Sequence, residues 1–373
     1  MFDSQNRYGK DNQFDESTVN GASITYDANA STVLLSADTT SGSKAVRQTY
    51  RVFPYQPGKS LLLLATFVMA PGATNLRQRV GYFSVDNGVF FQKTGTTNAF
   101  VLRSKVSGSV SDARTVNQAD WNGDKLDGNG ASGITLDTSK AQILFMDFEW
   151  LGVGSVRCGF VINGEFIVCH TFHNANDQTS VYMTTAILPV RYEIEATGTM
   201  AVGATMKQIC SSVVSEGGYQ QGAAQSIARR TTALASISTT FVPLVTIRLA
   251  SDSLGAVVLP QEIQVFPTTA GDYEIALIKN ATLTGASYNT SDFAYVDYDV
   301  TATAMTGGTI VQQTYVGGDN KGNVTAVSPS GYNFDLQLGV SLAGTSDTYT
   351  LAIRTLSGTG DAIGSLSFID LTD

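Results

Sequence analysis

The chain has 373 residues, long enough for two domains that each bury a core. Only 15% of the residues are charged and 36 are glycine, while Thr, Ser, Val and Tyr recur throughout, a profile of strands and tight turns. The net charge of −9 disfavours nucleic acid as a partner, and the longest apolar run, LLLLATFVMA at 61–70, falls short of the roughly 20 residues that span a bilayer.

In chain order, no charged-then-apolar leader opens the sequence, so export through a secretory signal is not expected. Residues 1–22 are polar and do not alternate, and Phe2, Tyr8 and Phe14 recur at intervals of six. They read as an arm whose aromatic anchors dock on a neighbouring subunit, or else as a frayed terminus. Strand signals begin at Ser23. Thr49–Phe53 alternates, and the run at 61–70 reads as a fully buried strand. VDNGVFF (85–91) and VINGEFIV (161–168) set Asn-Gly between apolar runs, the strongest short-range hairpin signal. Helical spacing is scarce, with a turn or two around Val116–Trp121 and a short piece at Gly222–Arg229.

The stretch 217–230, GGYQQGAAQSIARR, lacks strand character and reads as a linker between a first β block at 23–216 and a second at 231–373. The second block consists of short strand-like runs spaced by turn residues, consistent with a sandwich. It also holds the acidity. Residues 231–373 contain 4 of the 23 Lys and Arg but 13 of the 32 Asp and Glu, which leaves 19 of each in the rest of the chain. Such acidity keeps an exposed domain soluble, or it faces a basic neighbour or gathers divalent cations.

Three groups of residues could carry chemistry. The loop Asp120-Trp-Asn-Gly-Asp124-Lys-Leu-Asp127-Gly-Asn129 alternates oxygen donors with glycine, which suits self-contained Asx turns, a calcium site, or a sugar stacked on Trp121. Lys125 stands where an EF-hand needs glycine, and no Glu closes the loop. His170 and His173, three apart on a strand, face opposite ways and cannot readily share a metal. The third group is the cysteines. A two-residue Asn163-Gly164 turn would set Cys158 across from Cys169, Phe160 across from Ile167, and Arg157 across from His170, with Cys210 elsewhere. In a reducing cytosol the pair stays as thiols. No Walker loop, Gly-x-Ser-x-Gly or His-Glu-x-x-His motif occurs, so no catalytic, cofactor-binding or metal-binding residue is assigned.

Several strings do carry an identity when taken in order. They are RQTYRVFPYQPGKS (47–60), QADWNGDKLDGNGASG (118–133), DFEWLGVGSVR (147–157), LPVRYE (188–193), MKQICS (206–211) and SEGGY (215–219). SISTTFVPLVTIRL (236–249) and GSLSFIDL (364–371) follow in the second block. Together they resemble a family of virion structural proteins of tailed marine phages, of the cyanophage type and also found in large algal viruses. The resemblance implies an all-β chain, with an N-terminal module similar to concanavalin-A-like jelly rolls followed by a smaller β-sandwich. It further implies a non-enzymatic component of the virion, assembled in the host cytoplasm. Its place would be an exposed appendage: a fibre, a tail-associated protein or a capsid decoration. The expected partners are other copies of the chain, as a trimer or other closed oligomer, other virion proteins, and possible host-surface glycans. Neither nucleic acid nor membrane insertion is expected.

Two alternatives remain, a carbohydrate-binding module of a cellular surface protein and a polysaccharide-cleaving enzyme. Laminarinase-type glycosidases carry Glu-x-Asp-x-Glu on a central strand, whereas this chain reads Phe145-Met146-Asp147-Phe148-Glu149, with Phe145 in the nucleophile's place. Glu193 and Glu195 form a second same-face pair, which reads as solvated surface.

Overall fold

Alternation along the strands decides the fold. The apolar run at 61–70 forms the strand Leu61–Val68, in which Leu61, Leu63, Ala65 and Phe67 are buried and Leu62, Leu64, Thr66 and Val68 face outward. It is therefore buried on one face rather than both, because a strand in a two-layer sandwich meets a partner sheet on one side only. The computed structural model describes residues 2–217, 222–228, 232–291, 295–317, 325–327 and 334–372. The chain is all-β. Its helical elements, among the described residues, are two single 3-10 turns, Gln118–Asp120 and Phe334–Leu336. The first falls inside the short helix expected at Val116–Trp121.

Two units divide the chain, Met1–Tyr219 and Gln220–Asp373. The first is a jelly-roll sandwich of two antiparallel sheets. In spatial order the eight-stranded sheet runs Glu165–Phe172, Val156–Ile162, Gln142–Phe148, Leu61–Val68, Ala204–Ser215, Thr32–Ala37 and Ser23–Asp27, with Phe2–Gln5 also on Ala204–Ser215. The seven-stranded sheet runs Ser111–Asn117, Thr97–Ser104, Gly88–Thr94, Leu76–Phe83, Val190–Ala196, Lys44–Thr49 and Phe14–Val19. Between 32 and 83 successive strands switch sheet at every connection. The inward rows meet in one core, where Phe67 stacks on Phe91 with ring centroids 6.0 Å apart and Phe91 meets Phe160 edge-on at 5.2 Å. Each such ring adds roughly 1.5–3 kcal/mol through burial.

The N-terminal residues are part of this sandwich. Phe2–Gln5 pairs with Ala204–Ser215, and Phe14–Val19 pairs with Lys44–Thr49. The rings of Phe2 and Phe14 lie in the unit's own core, Phe2 at 4.9 Å from Phe53, and only Tyr8 is exposed. The expected arm at 1–22 is thus corrected: two of its three aromatics anchor it to its own domain. Arg47 ties the segment down from within the core, donating to the Asp11 carbonyl at 2.6 Å and to Asn6 Oδ1 at 3.3 Å.

The second unit stacks a five-stranded sheet on a six-stranded one around Leu244, Ile247, Ile275, Leu351, Leu366 and Phe368. The five-stranded sheet is built on Gly360–Asp370 and includes Ala223–Ala228. That strand lies within the expected linker and replaces the helix expected at Gly222–Arg229; residues 218–221 and 229–230 lie outside the described residues. The strand wins because pairing with Gly360–Asp370 supplies a full ladder partner that an isolated short helix lacks.

Candidate functional site

Among the described residues, the densest polar chemistry lies on the outer face of the seven-stranded sheet. Arg191, Glu193 and Glu195 alternate along Val190–Ala196 with the core residues Val190, Tyr192 and Ile194. The neighbouring strand Leu76–Phe83 sets Arg79 opposite Glu193 and Arg77 opposite Glu195, and Lys44–Thr49 sets Lys44 opposite Glu195. Glu193 is 2% exposed and holds three cations. Arg191 donates to Oε2 through Nε at 3.1 Å and Nη2 at 2.6 Å, Arg79 Nη1 donates to Oε1 at 3.2 Å, and Lys44 Nζ lies 3.3 Å from the same oxygen. Burial alone would raise its pKa, but the three cations outweigh it and hold the carboxyl down at about 2.

The network continues across the face. Arg79 Nε donates to Gln92 Oε1 at 2.7 Å, Arg191 Nη1 donates to Gln48 Oε1 at 2.9 Å, and Arg103 grips Asp112 through two bonds of 2.8 Å. Beneath these planar groups lies a small apolar island of Phe83, Phe90 and Val101, separate from the main core. Arg79 and Arg103 each lie 5.2 Å from the Phe90 ring centre, and Arg191 lies 5.5 Å from that of Phe83. Gly81 makes room for this stack, since a Cβ there would come within 2.7 Å of Phe90 Cβ. The expectation of solvated surface is corrected for Glu193, which is buried and fully engaged. Glu193, Glu195 and Asp112 are each matched by cations, so this part of the surface is a fixed array of donors, acceptors and ring edges.

The remaining residues singled out by sequence lie elsewhere. Phe145 is 3% exposed on the outer face of the eight-stranded sheet, its ring against Phe166 at 5.1 Å and over Gly159. Asp147 shares that face and pairs with Arg157, while burial raises its pKa. Glu149 lies beyond the strand's end at Phe148. The three positions therefore do not form a row of carboxylates along one strand. A cavity of about 480 Å³ opens at the end of this face, where Leu136, Lys140, Ile143, Val161 and Asn163 line it.

The Asp-rich loop is an edge cover. Gly123 N donates to the Cys169 carbonyl at 2.8 Å and Asp124 N to the Val168 carbonyl at 3.0 Å, while Asn122 both donates to and accepts from the Thr171 backbone. The segment thus satisfies the free edge of Glu165–Phe172. Asp124 accepts from the Leu126 and Ser132 amides, and Asp127 accepts from the Asn129 amide, so the side chains close turns within the loop. No group of three or more His, Cys, Asp or Glu side chains gathers in metal-binding geometry among the described residues. Trp121 is 2% exposed and stacked 4.7 Å from Phe100, which removes it as a sugar platform.

The cysteine hairpin is correct at its turn and shifted beyond it. Asn163 and Gly164 have φ of 55° and 86°, and Phe160 pairs with Ile167 as expected. A bulge at Cys169 then moves the register, so that Cys158 faces His170 and Arg157 faces Thr171. Both thiols stay in the main core, and burial pushes them up, Cys169 to about 12. Cys210 is exposed, and all three are free. His170 is buried edge-on against Phe172, where desolvation and then Arg114 lower its pKa to about 4. His173 lies past the strand's end at Phe172.

No protein-family model matches the chain, and no curated protein matches its sequence. Solved structures match at low identity. Cellulose induced protein Cip1 is 12% identical with a TM-score of 0.38, over 57% of this chain and 97% of that one. The carbohydrate recognition domain of Emp47p is 10% identical with a TM-score of 0.35, over 56% and 92%. A β-glucanase of Bacillus licheniformis is 11% identical with a TM-score of 0.35, over 56% and 95%.

Proposed function

We propose that the chain is a non-enzymatic structural component of a tailed-phage virion, carried as an exposed appendage whose jelly roll contacts host-surface glycans. The reading rests on the ordered set of sequence strings that resembles those of virion proteins. Six of them fall within the first unit.

The state of the carboxylates supports the non-catalytic part. A retaining glycosidase needs two carboxyl groups about 5–5.5 Å apart, one of them a nucleophile. Phe145 fills the nucleophile's position, and Glu193 is locked in ion pairs. The polar face around Glu193 supports glycan contact instead, because planar donors and acceptors fixed above aromatic rings suit hydroxyl-rich ligands. The chain assembles in the host cytoplasm and meets other copies of itself and other virion proteins.

Two assays test the reading together. Fractionation of phage particles should leave the chain in the particle band after high-salt washing, at a fixed copy number. Incubation of the purified chain with β-glucans and other polysaccharides should release no new reducing ends. A chain found only in the soluble lysate would overturn the virion role, and steady release of reducing ends lost in Asp147→Asn would overturn the non-enzymatic one.

A further inference from the structure

The ion-pair network on the outer face of the seven-stranded sheet is unequal in charge. Five cations, Lys44, Arg77, Arg79, Arg103 and Arg191, share three carboxylates, Glu193, Glu195 and Asp112. Two positive charges are left over, on a chain whose total is −9. The nearby Asp86 does not cancel them, because it pairs with Lys105 at 2.9 Å. Asp15 shares the face two strands away from Glu193, where Tyr50 Oη donates to it at 3.2 Å, and one positive charge remains even when it is counted.

Much of this charge is held out of water. Arg79 and Arg191 are each 5% exposed. Net charge withdrawn from water is costly until a counter-ion joins it. That cost is felt at Arg79, whose pKa is lowered to about 10 by burial and by Arg77 and Arg103, against the pull of Glu193. Arg77 is the open member of the network. Its Nη2 donates to Glu195 Oε2 at 2.6 Å, while its buried Nε–H has no partner. The side chains of Arg77 and Lys44 are 29% and 31% exposed, so both can be reached from solvent.

We propose that this face binds an acidic glycan, with a carboxylate or sulfate group of the sugar seated against Arg77 and Lys44. The inference rests on the glycan contact proposed above and names the class of glycan. Charge selects the occupant, since an anion balances the network and a neutral sugar leaves it unbalanced. Gln48 and Gln92 accept from Arg191 and Arg79 through their oxygens, which leaves their NH2 groups for sugar hydroxyls. The chain as a whole repels a densely charged polymer, so the fit is to isolated acidic groups on a hydroxyl-rich backbone. The recessed guanidinium groups suit one small anion better than a broad acidic protein surface.

Calorimetric titration of the full chain with three polymers of one backbone tests this: dextran, sparsely carboxymethylated dextran and sparsely sulfated dextran. At least one acidic dextran should bind about tenfold or more tightly than the neutral one, and added salt should weaken it. Which of the two binds distinguishes carboxylate from sulfate. Arg77→Gln and Glu195→Gln delete the same ion pair, so a merely structural effect would move both variants alike. Capture of an anion moves them apart. Arg77→Gln should weaken the acidic dextran about threefold, and Glu195→Gln should tighten it about threefold. Equal binding of neutral and acidic dextrans, or two variants that do not separate, would overturn the acidic class and leave glycan contact standing. A chain that binds none of the three would also overturn the inference, whereas the virion reading falls separately, on fractionation of the particles.

Discussion

Glu193 is the residue on which the outer face of the seven-stranded sheet turns. Replacing it with Gln leaves Arg79, Arg191 and Lys44 without their shared anion, and urea denaturation should show a loss of about 3–5 kcal/mol. Its folded pKa of about 2 lies below the unfolded value, so its contribution is complete above the usual carboxylate range and is lost as pH falls toward 2. His170 acts earlier. Its folded pKa of about 4 is below the 6.5 usual for histidine, so the unfolded chain takes up the proton first and stability falls as pH drops from 6.5 to 4. A His170→Gln variant should flatten the upper part of that curve, and Glu193→Gln the lower part. Unchanged profiles in either variant would contradict the assigned environments. The thiols give a third check. Cys210 should react with a thiol reagent in the native protein, and Cys158 and Cys169 only on unfolding, because burial raises both.

At the scale of elements, what the sequence revealed was local. Asn163-Gly164 specified its turn through the positive φ that both residues tolerate, and the register held as far as Phe160 and Ile167. It failed at Cys169, where the covering segment at 122–124 takes up the strand's outer hydrogen bonds; those partners are more than forty residues away. The ion-pair face was hidden for the same reason. Arg77 and Arg79 meet Glu195 and Glu193 across more than a hundred residues, and only the sheet register brings them together. The arm was misread because Phe2 and Phe14 sit in short polar strands whose apolar partners, Phe53 and Tyr192, are distant. The edge cover makes its own prediction. Asn122→Ala removes two hydrogen bonds to Thr171 and should cost about 1–3 kcal/mol, while calcium and chelators should leave the melting temperature unchanged. A rise of several degrees with calcium would mean that the loop's oxygens bind the ion.

At the scale of the molecule, each unit closes its own hydrophobic core, and the two clusters share no residue. Residues 1–219 expressed alone should therefore fold and melt in one cooperative transition. The strand-rich fold was legible from alternation and turn residues, and the N-terminal jelly roll from the resemblance; the virion role rests on the ordered strings and needs the particle itself. The most direct measurement is a cryo-electron map of an intact phage particle in which the proposed function places this chain. The account predicts exterior density at symmetry-related positions into which the jelly roll and the second sandwich each fit, with the strand order of both sheets. A map with every exterior protein assigned and no density for either unit would contradict it.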